Sequence, residues 1–293
     1  MAAPRTVRPR RPGRDNRVAH ATDARQQPAP AGAYVQRDQP RGVPPLALTG
    51  ERTLPDVPAE NYWFRRHLVV YEWIARAVRG RRVIDMACGE GYGSEVLARA
   101  AAEVVGVDAN PDAHEHARVR YVRENLRFER DLVERFDERA DAVVFLQTIE
   151  HLRDPDAALA HFGALVGGTG EVFVSTPNVL TLAPKGAARS GNPWHVHEYR
   201  AREFEELCSR HFEDVELYGV FHAGKLRAHE LALRLGWDRV HSALHITRPF
   251  YDRFTPAIAS SDFALRAARE ADLDGALDFL VACRGARSRA APQ

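Results

Sequence analysis

Cysteine is scarce in this chain: Cys88, Cys208 and Cys283 are an odd number, lie far apart and include no C-x-x-C pair. That excludes a disulfide framework and a zinc site built on paired cysteines. No apolar run approaches the roughly 20 residues that span a bilayer, and no charged, apolar, small-residue leader pattern opens the sequence. The expectation is a cytoplasmic chain without a membrane segment. Lysine is nearly missing too, at Lys185 and Lys225 alone, and the arginine-rich composition suits a GC-rich genome. What is there, 45% hydrophobic and 28% charged residues, suffices for one sizeable core with additions.

The net charge of +1 is unevenly spread, because residues 1–48 hold nine arginines against three aspartates and so carry +6. The remainder of the chain is therefore mildly acidic. This arm is rich in Pro, Ala and Gln and has no apolar periodicity, so residues 1–48 read as a disordered arm and order is expected to begin near Leu54. A basic arm is also compatible with an RNA partner, but basic and aromatic residues are not interleaved on the body, which argues against nucleic acid.

The chain is organised around Arg81–Ala98, RRVIDMACGEGYGSEVLA. Val83 and Ile84 form a short strand ending in Asp85, a turn carries Gly89, Gly91 and Gly93, and a helix begins near Ser94. Such glycines let backbone approach a ligand closely. A dinucleotide fingerprint would space its glycines G-x-G-x-x-G against a pyrophosphate. Here they run G-x-G-x-G after an acid, which suits a ligand bearing an ammonium and a sulfonium. The stretch resembles motif I of the class I S-adenosylmethionine (SAM) methyltransferases, whose acid-x-x-C-G-x-G-x-G pattern it matches from Asp85 to Gly93. The resemblance implies an α/β, Rossmann-like seven-stranded sheet with helices on both faces and an antiparallel last strand, occupying residues 54–293.

Downstream features extend the resemblance. Val104, Val105 and Val107 form a second strand with Asp108 at its end, placed to accept hydrogen bonds from a ribose. NAD sites share that feature, so a nucleotide-binding protein without methyl transfer is the alternative reading. Asn110 and Pro111 then open a helix. A third strand, from Leu126, ends at Asp131 and Leu132, which in the family line the adenine. Together these assign Asp85, Ala87, Gly89, Gly91, Asp108, Ala109, Asp131, Leu132 and Gln147 to the cofactor.

The fourth strand, Ala142–Leu146, is apolar throughout and leads into Gln147-Thr148-Ile149-Glu150-His151-Leu152 at the carboxyl edge, where open α/β sheets bind ligands. An E-H-L after this strand resembles the small-molecule branch of the family. Methyl transfer to a hydroxyl needs a base working near neutral pH, and histidine, with an unperturbed pKa of ~6.5, serves. Glu150 and His151 are the catalytic candidates, joined by His195 and His197. Those two lie in residues 179–200, a Gly-, Pro- and Ser-rich stretch that also holds Trp194, Glu198 and Tyr199 and reads as a lid.

Related quinone-pathway enzymes carry a further acid three residues before the Glu and hold a divalent ion with it. Here that position is Gln147, a poor ligand, so no metal site is assigned although Mg2+ stays compatible with the lid's donors. Residues 223–274 form a helical insert before the last strand, either substrate-side decoration or a homodimer surface. From NPWHVHEY onward the chain looks like actinobacterial methyltransferases acting on glycans and natural products. The resulting expectation is SAM-dependent O-methylation of a small molecule such as a sugar or glycan precursor.

Overall fold

Short valine-rich runs set most strands of this computed structural model, which describes residues 41–47 and 52–287 and the backbone of 33–34. The main sheet consists of β1 (Arg82–Met86), β2 (Glu103–Val107), β3 (Leu126–Glu129), β4 (Ala142–Leu146), β5 (Glu171–Pro177), β6 (Phe212–His222), β7 (Phe263–Ala267) and β8 (Asp278–Ala286). Their order is β3-β2-β1-β4-β5-β8-β6-β7. β1 to β5 pair in parallel, while β8 runs antiparallel between β5 and β6.

The expected antiparallel last strand is therefore in place, but the sheet has eight strands rather than seven. The extra one, β7, pairs antiparallel with the end of β6 and comes from inside the segment expected to be helical. Its sequence, FALRA, is built largely of good helix formers, and pairing along β6 overrides that preference.

Side chains alternate across the sheet, so successive strand residues feed two cores. On one face Val104, Val144 and Phe173 pack against α1 (Asn61–Ala77), α2 (Tyr92–Ala98) and α3 (Pro111–Arg120). On the other, Val105, Val143 and Phe145 meet Leu159 and Phe162 of α4 (Pro155–Val166), joined by Phe204 and Leu207 of α6 (Ala201–Ser209). β4 is buried along its whole length, as its unbroken apolar run requires. Asn110 and Asp154 cap α3 and α4 through their side chains, each followed by a proline at the first helical position.

The body starts upstream of Leu54. Val43 and Leu46, inside the stretch expected to be an arm, are buried, and Leu46 clusters with Leu54 and Val57. His116 Nδ1 also lies 2.5 Å from the Pro44 carbonyl oxygen. Two apolar residues sufficed to anchor a segment too short for any periodicity to register. Residues 1–32, 35–40 and 48 of the expected arm lie outside the described residues.

The expected lid begins with α5 (Val179–Leu182) and continues without regular structure to Arg200. Asn178 fixes its root, donating from Nδ2 to the carbonyls of Leu273, Asp274 and Ala276 while its Oδ1 accepts from Leu180 N. The insert carries α7 (Gly224–Arg234), α8 (Trp237–Ala243) and α9 (Thr247–Phe254) ahead of β7. No helix among the described residues is long and apolar enough to cross a membrane.

Candidate active site

The carboxyl ends of β1, β2, β3 and β4 converge on one crevice. Asp108, at the end of β2, accepts from Gly89 N at 2.8 Å on Oδ2 and from Asn110 N at 2.8 Å on Oδ1. Each oxygen therefore keeps a lone pair for a further donor. Ala87 and Gln147, just beyond β1 and β4, both hold positive φ, 55° and 52°. Such backbone in non-glycine residues concentrates at functional sites. Ala109 is exposed beside Asp108, and at the end of β3 Asp131 Oδ1 accepts from Leu132 N while the Leu132 side chain stays exposed. Gln147 turns to the sheet, where its backbone and side-chain amides both donate to Ser175 Oγ at 3.1 Å.

The glycines divide their work. A Cβ on Gly89 would meet only the Arg52 side chain, at 3.9 Å, so this glycine faces the crevice. On Gly91, with φ +95°, it would lie 2.8 Å from Ala117 Cβ and 3.0 Å from the Phe128 ring. Gly91 thus lets the turn close onto α3 and β3, and its side-chain direction is not toward a ligand.

Asp85 also differs from expectation. Its carboxylate does not aim into the crevice but is fully buried, accepting from Ser94 Oγ at 2.7 Å and Tyr71 Oη at 3.3 Å. It ties α1 and α2 to β1. Burial pushes its pKa up to about 7, with the Asp108 charge adding to the rise and the two hydroxyl bonds opposing it.

Beside β4 the chain assembles a second polar group. Glu150 is buried, accepts from Thr176 Oγ1 at 3.2 Å, and offers its backbone carbonyl to Val196 N and His197 N. Those two bonds draw the lid over the E-H turn. They bring His195 to His151, with ring centroids 5.0 Å apart. His151 Nδ1 lies 3.0 Å from the Trp194 carbonyl, which can only accept, so Nδ1 donates there, while Nε2 lies 4.0 Å from Glu150 Oε1.

His195 Nδ1 is likewise 2.8 Å from Glu198 Oε1. Burial alone would raise the Glu198 pKa, but hydrogen bonds from Ser190 and His195 outweigh it and hold the carboxyl below its usual range. His197 is not part of this group, since its ring packs on Tyr199 at 4.3 Å.

A ligand atom from each of Glu150, His151 and His195 lies within 4.8 Å of the others. Each histidine gives its second nitrogen to a carbonyl or carboxylate, the arrangement that orients metal-binding imidazoles. Those residues fit a divalent cation: the expectation assigned no metal ligand because of Gln147 but left Mg2+ compatible with the lid's donors, and of these the structure brings His195, not His197, to the E-H turn. Two imidazoles and one carboxylate suit a borderline cation such as Zn2+ or Fe2+ better than Mg2+.

Reading along the chain also passed over Glu90, between the first two glycines. It is buried and accepts from Tyr121 Oη at 2.8 Å and Tyr92 N at 3.0 Å, with His116 Nε2 3.2 Å away. An acid flanked by loop glycines was the available signal.

The methyltransferase-domain family profile matches residues 62–223. A probable SAM-dependent methyltransferase of Mycolicibacterium smegmatis is 37% identical over 80% of this chain and 94% of its own length. The chain belongs to the SAM-dependent methyltransferases. A probable SAM-dependent methyltransferase of Mycobacterium tuberculosis is 36% identical over 80% of this methyltransferase and 88% of its own length. A ubiquinone biosynthesis O-methyltransferase of Bordetella avium is 36% identical over 51% of this chain and 69% of its own. A crystal structure of a possible histamine N-methyltransferase from Thermotoga maritima aligns with TM-score 0.51 at 14% identity, covering 76% of this chain and 93% of that one. That likeness supports the Rossmann-like fold alone. SAM is the cofactor of this methyltransferase, and the crevice above β1 and β2 fits it. Gly89 leaves room for a ligand, and Asp108 retains acceptor capacity for hydroxyls.

Proposed function

We propose that this methyltransferase methylates a hydroxyl group of a small molecule, such as a sugar or glycan precursor, and that His151 is the base. SAM supplies a methyl group on a sulfonium, already a good leaving group. The protein then has to align the acceptor and take its proton, and alignment carries most of the rate. Asp108 binds the ribose hydroxyls, Ala87, Gly89, Ala109 and Gln147 border the ligand, and Asp131 with Leu132 holds the adenine.

The observation that carries the reading is the His151–Trp194 hydrogen bond, which leaves Nε2 as the acceptor on a side chain 26% exposed at the carboxyl edge of β4. His195, at 6%, is less open and acts beside it as a positioning group. The partial similarity to a ubiquinone O-methyltransferase supports an oxygen acceptor. His151→Ala should lower kcat about 10²–10⁴-fold with little change in SAM affinity, whereas His195→Ala should chiefly raise KM. Near-normal turnover in His151→Ala with a dead His195→Ala would move the base to the lid.

The Glu150–His151–His195 cluster supports a second reading, in which those three residues hold a divalent cation that acidifies the hydroxyl. Under it, a chelator stops turnover and Zn2+ or Fe2+ restores it. Turnover untouched by prolonged chelation selects the metal-free base.

A further inference from the structure

The insert presents apolar side chains to solvent where a folded body rarely does. Of ten exposed large hydrophobic residues among those described, five fall between 231 and 246: Leu231, Leu235, Val240, Leu244 and Ile246. Leu231 and Leu235 are four residues apart along α7 and its cap, and Val240 and Leu244 four apart along α8 and its cap. Each pair therefore shares one side of its helix.

Underneath, the insert has its own packing, so these leucines are not waiting for a core. His241 is buried and stacks on Phe250, with Trp237 and Tyr251 edge-on. Residues 224–254 carry six basic side chains against three acidic ones, +3 within a chain whose total is +1. Arg227, Arg239 and Arg253 are exposed and have no acidic partner among the described residues. An open depression of about 460 Å³ along α7 is lined by Gly224, Arg227, Ala228, Glu230, Leu231 and Arg234, of which Glu230 and Arg234 pair with each other.

We propose that this face of the insert docks on an anionic lipid surface. Exposed aliphatic residues and uncompensated arginines carried by the same small group of helices have the chemistry of an interfacial amphipathic surface, which lies on a bilayer without spanning it. Charge disfavours a second copy of the chain, since a two-fold contact would set one positive patch against itself. The aliphatic side chains disfavour a nucleic acid, which would call for aromatic stacking. Because β6 runs parallel to β1–β5 and α7 follows within two residues of its end, the insert emerges at the edge that carries the active site. The docking does not depend on the identity of the acceptor.

The test is cosedimentation of the full chain with phosphatidylcholine vesicles, with and without phosphatidylglycerol, at low and high salt. Binding should require phosphatidylglycerol and weaken with salt. Arg227→Gln with Arg239→Gln should weaken it roughly 25-fold, about fivefold per arginine. Leu235→Glu with Leu244→Glu should abolish it, while calorimetric SAM affinity and the melting curve of both variants stay at wild-type values.

No binding to either vesicle overturns the proposal. So does binding that survives in both variants, which would place the contact on the basic N-terminal segment. Two further results also overturn it: a wild-type dimer in light scattering that the leucine variant turns into monomer, and RNA retention in place of vesicle binding.

Discussion

Asp85→Asn isolates the most perturbed carboxyl of the cofactor loop. Asparagine keeps the shape, can still accept from Ser94 Oγ, and can donate to Tyr71 Oη, so packing is preserved while the titration is lost. The Asp85 carboxyl, pushed by burial to about 7, is protonated in the folded chain and ionised in the unfolded chain between about pH 4 and pH 7. The folded state then binds the extra proton, so this group's contribution falls as pH rises through that window and levels off above it. A rise of roughly three pH units corresponds to at most about 4 kcal/mol. Urea unfolding of both proteins from about pH 5 to about pH 8 measures it. The stability of Asp85→Asn relative to wild type should increase with pH by a few kcal/mol. Parallel stability curves for the two proteins would refute the argument, because the carboxyl would then titrate alike in both states.

Other perturbations test neighbouring parts of the account. Deleting residues 1–32 should leave the melting temperature unchanged, because the pairing of Ala33–Tyr34 with Leu46–Ala47 is kept, while deleting 1–48 removes Leu46, whose burial is worth about 1.5–3 kcal/mol, and should lower it by about 5 °C or more; equal melting of the two truncations would show that this segment contributes nothing. Gly91→Ala should destabilise the whole domain, since its methyl would meet Ala117 and Phe128 at positive φ; wild-type stability with weakened SAM binding would instead put the ligand there. Asp108→Ala should raise the calorimetric Kd for SAM by about 100-fold through the loss of charge-assisted hydrogen bonds, and unchanged affinity would remove Asp108 from the ribose site.

Much of the site was legible because it is local. The glycine turn, Asp108 at the end of β2 and Glu150-His151 at the end of β4 each sit within a few residues of a strand whose apolar run marks where the sheet stops. What could not be read depends on closure in space. The sequence placed an acid at Asp85 but not the Ser94 and Tyr71 hydroxyls that enclose it. The lid's histidines were visible as a cluster, yet only the bonds from Val196 N and His197 N to Glu150 decide that His195 meets His151 and that His197 does not. β7 was hidden for a related reason, since five residues of helix-favouring composition become a strand only through the neighbour they pair with.

We propose that SAM gives its methyl group to a small-molecule hydroxyl whose proton His151 takes. The most direct test is incubation of the protein with a small-molecule cell extract and SAM carrying an isotopically labelled methyl, followed by mass spectrometry with fragmentation of the labelled product. The account predicts one labelled methyl on an oxygen of a small molecule, strongly reduced when His151→Ala replaces the wild type. Label on nitrogen or carbon, on RNA or protein, or on the same product at an undiminished rate with His151→Ala, would contradict it.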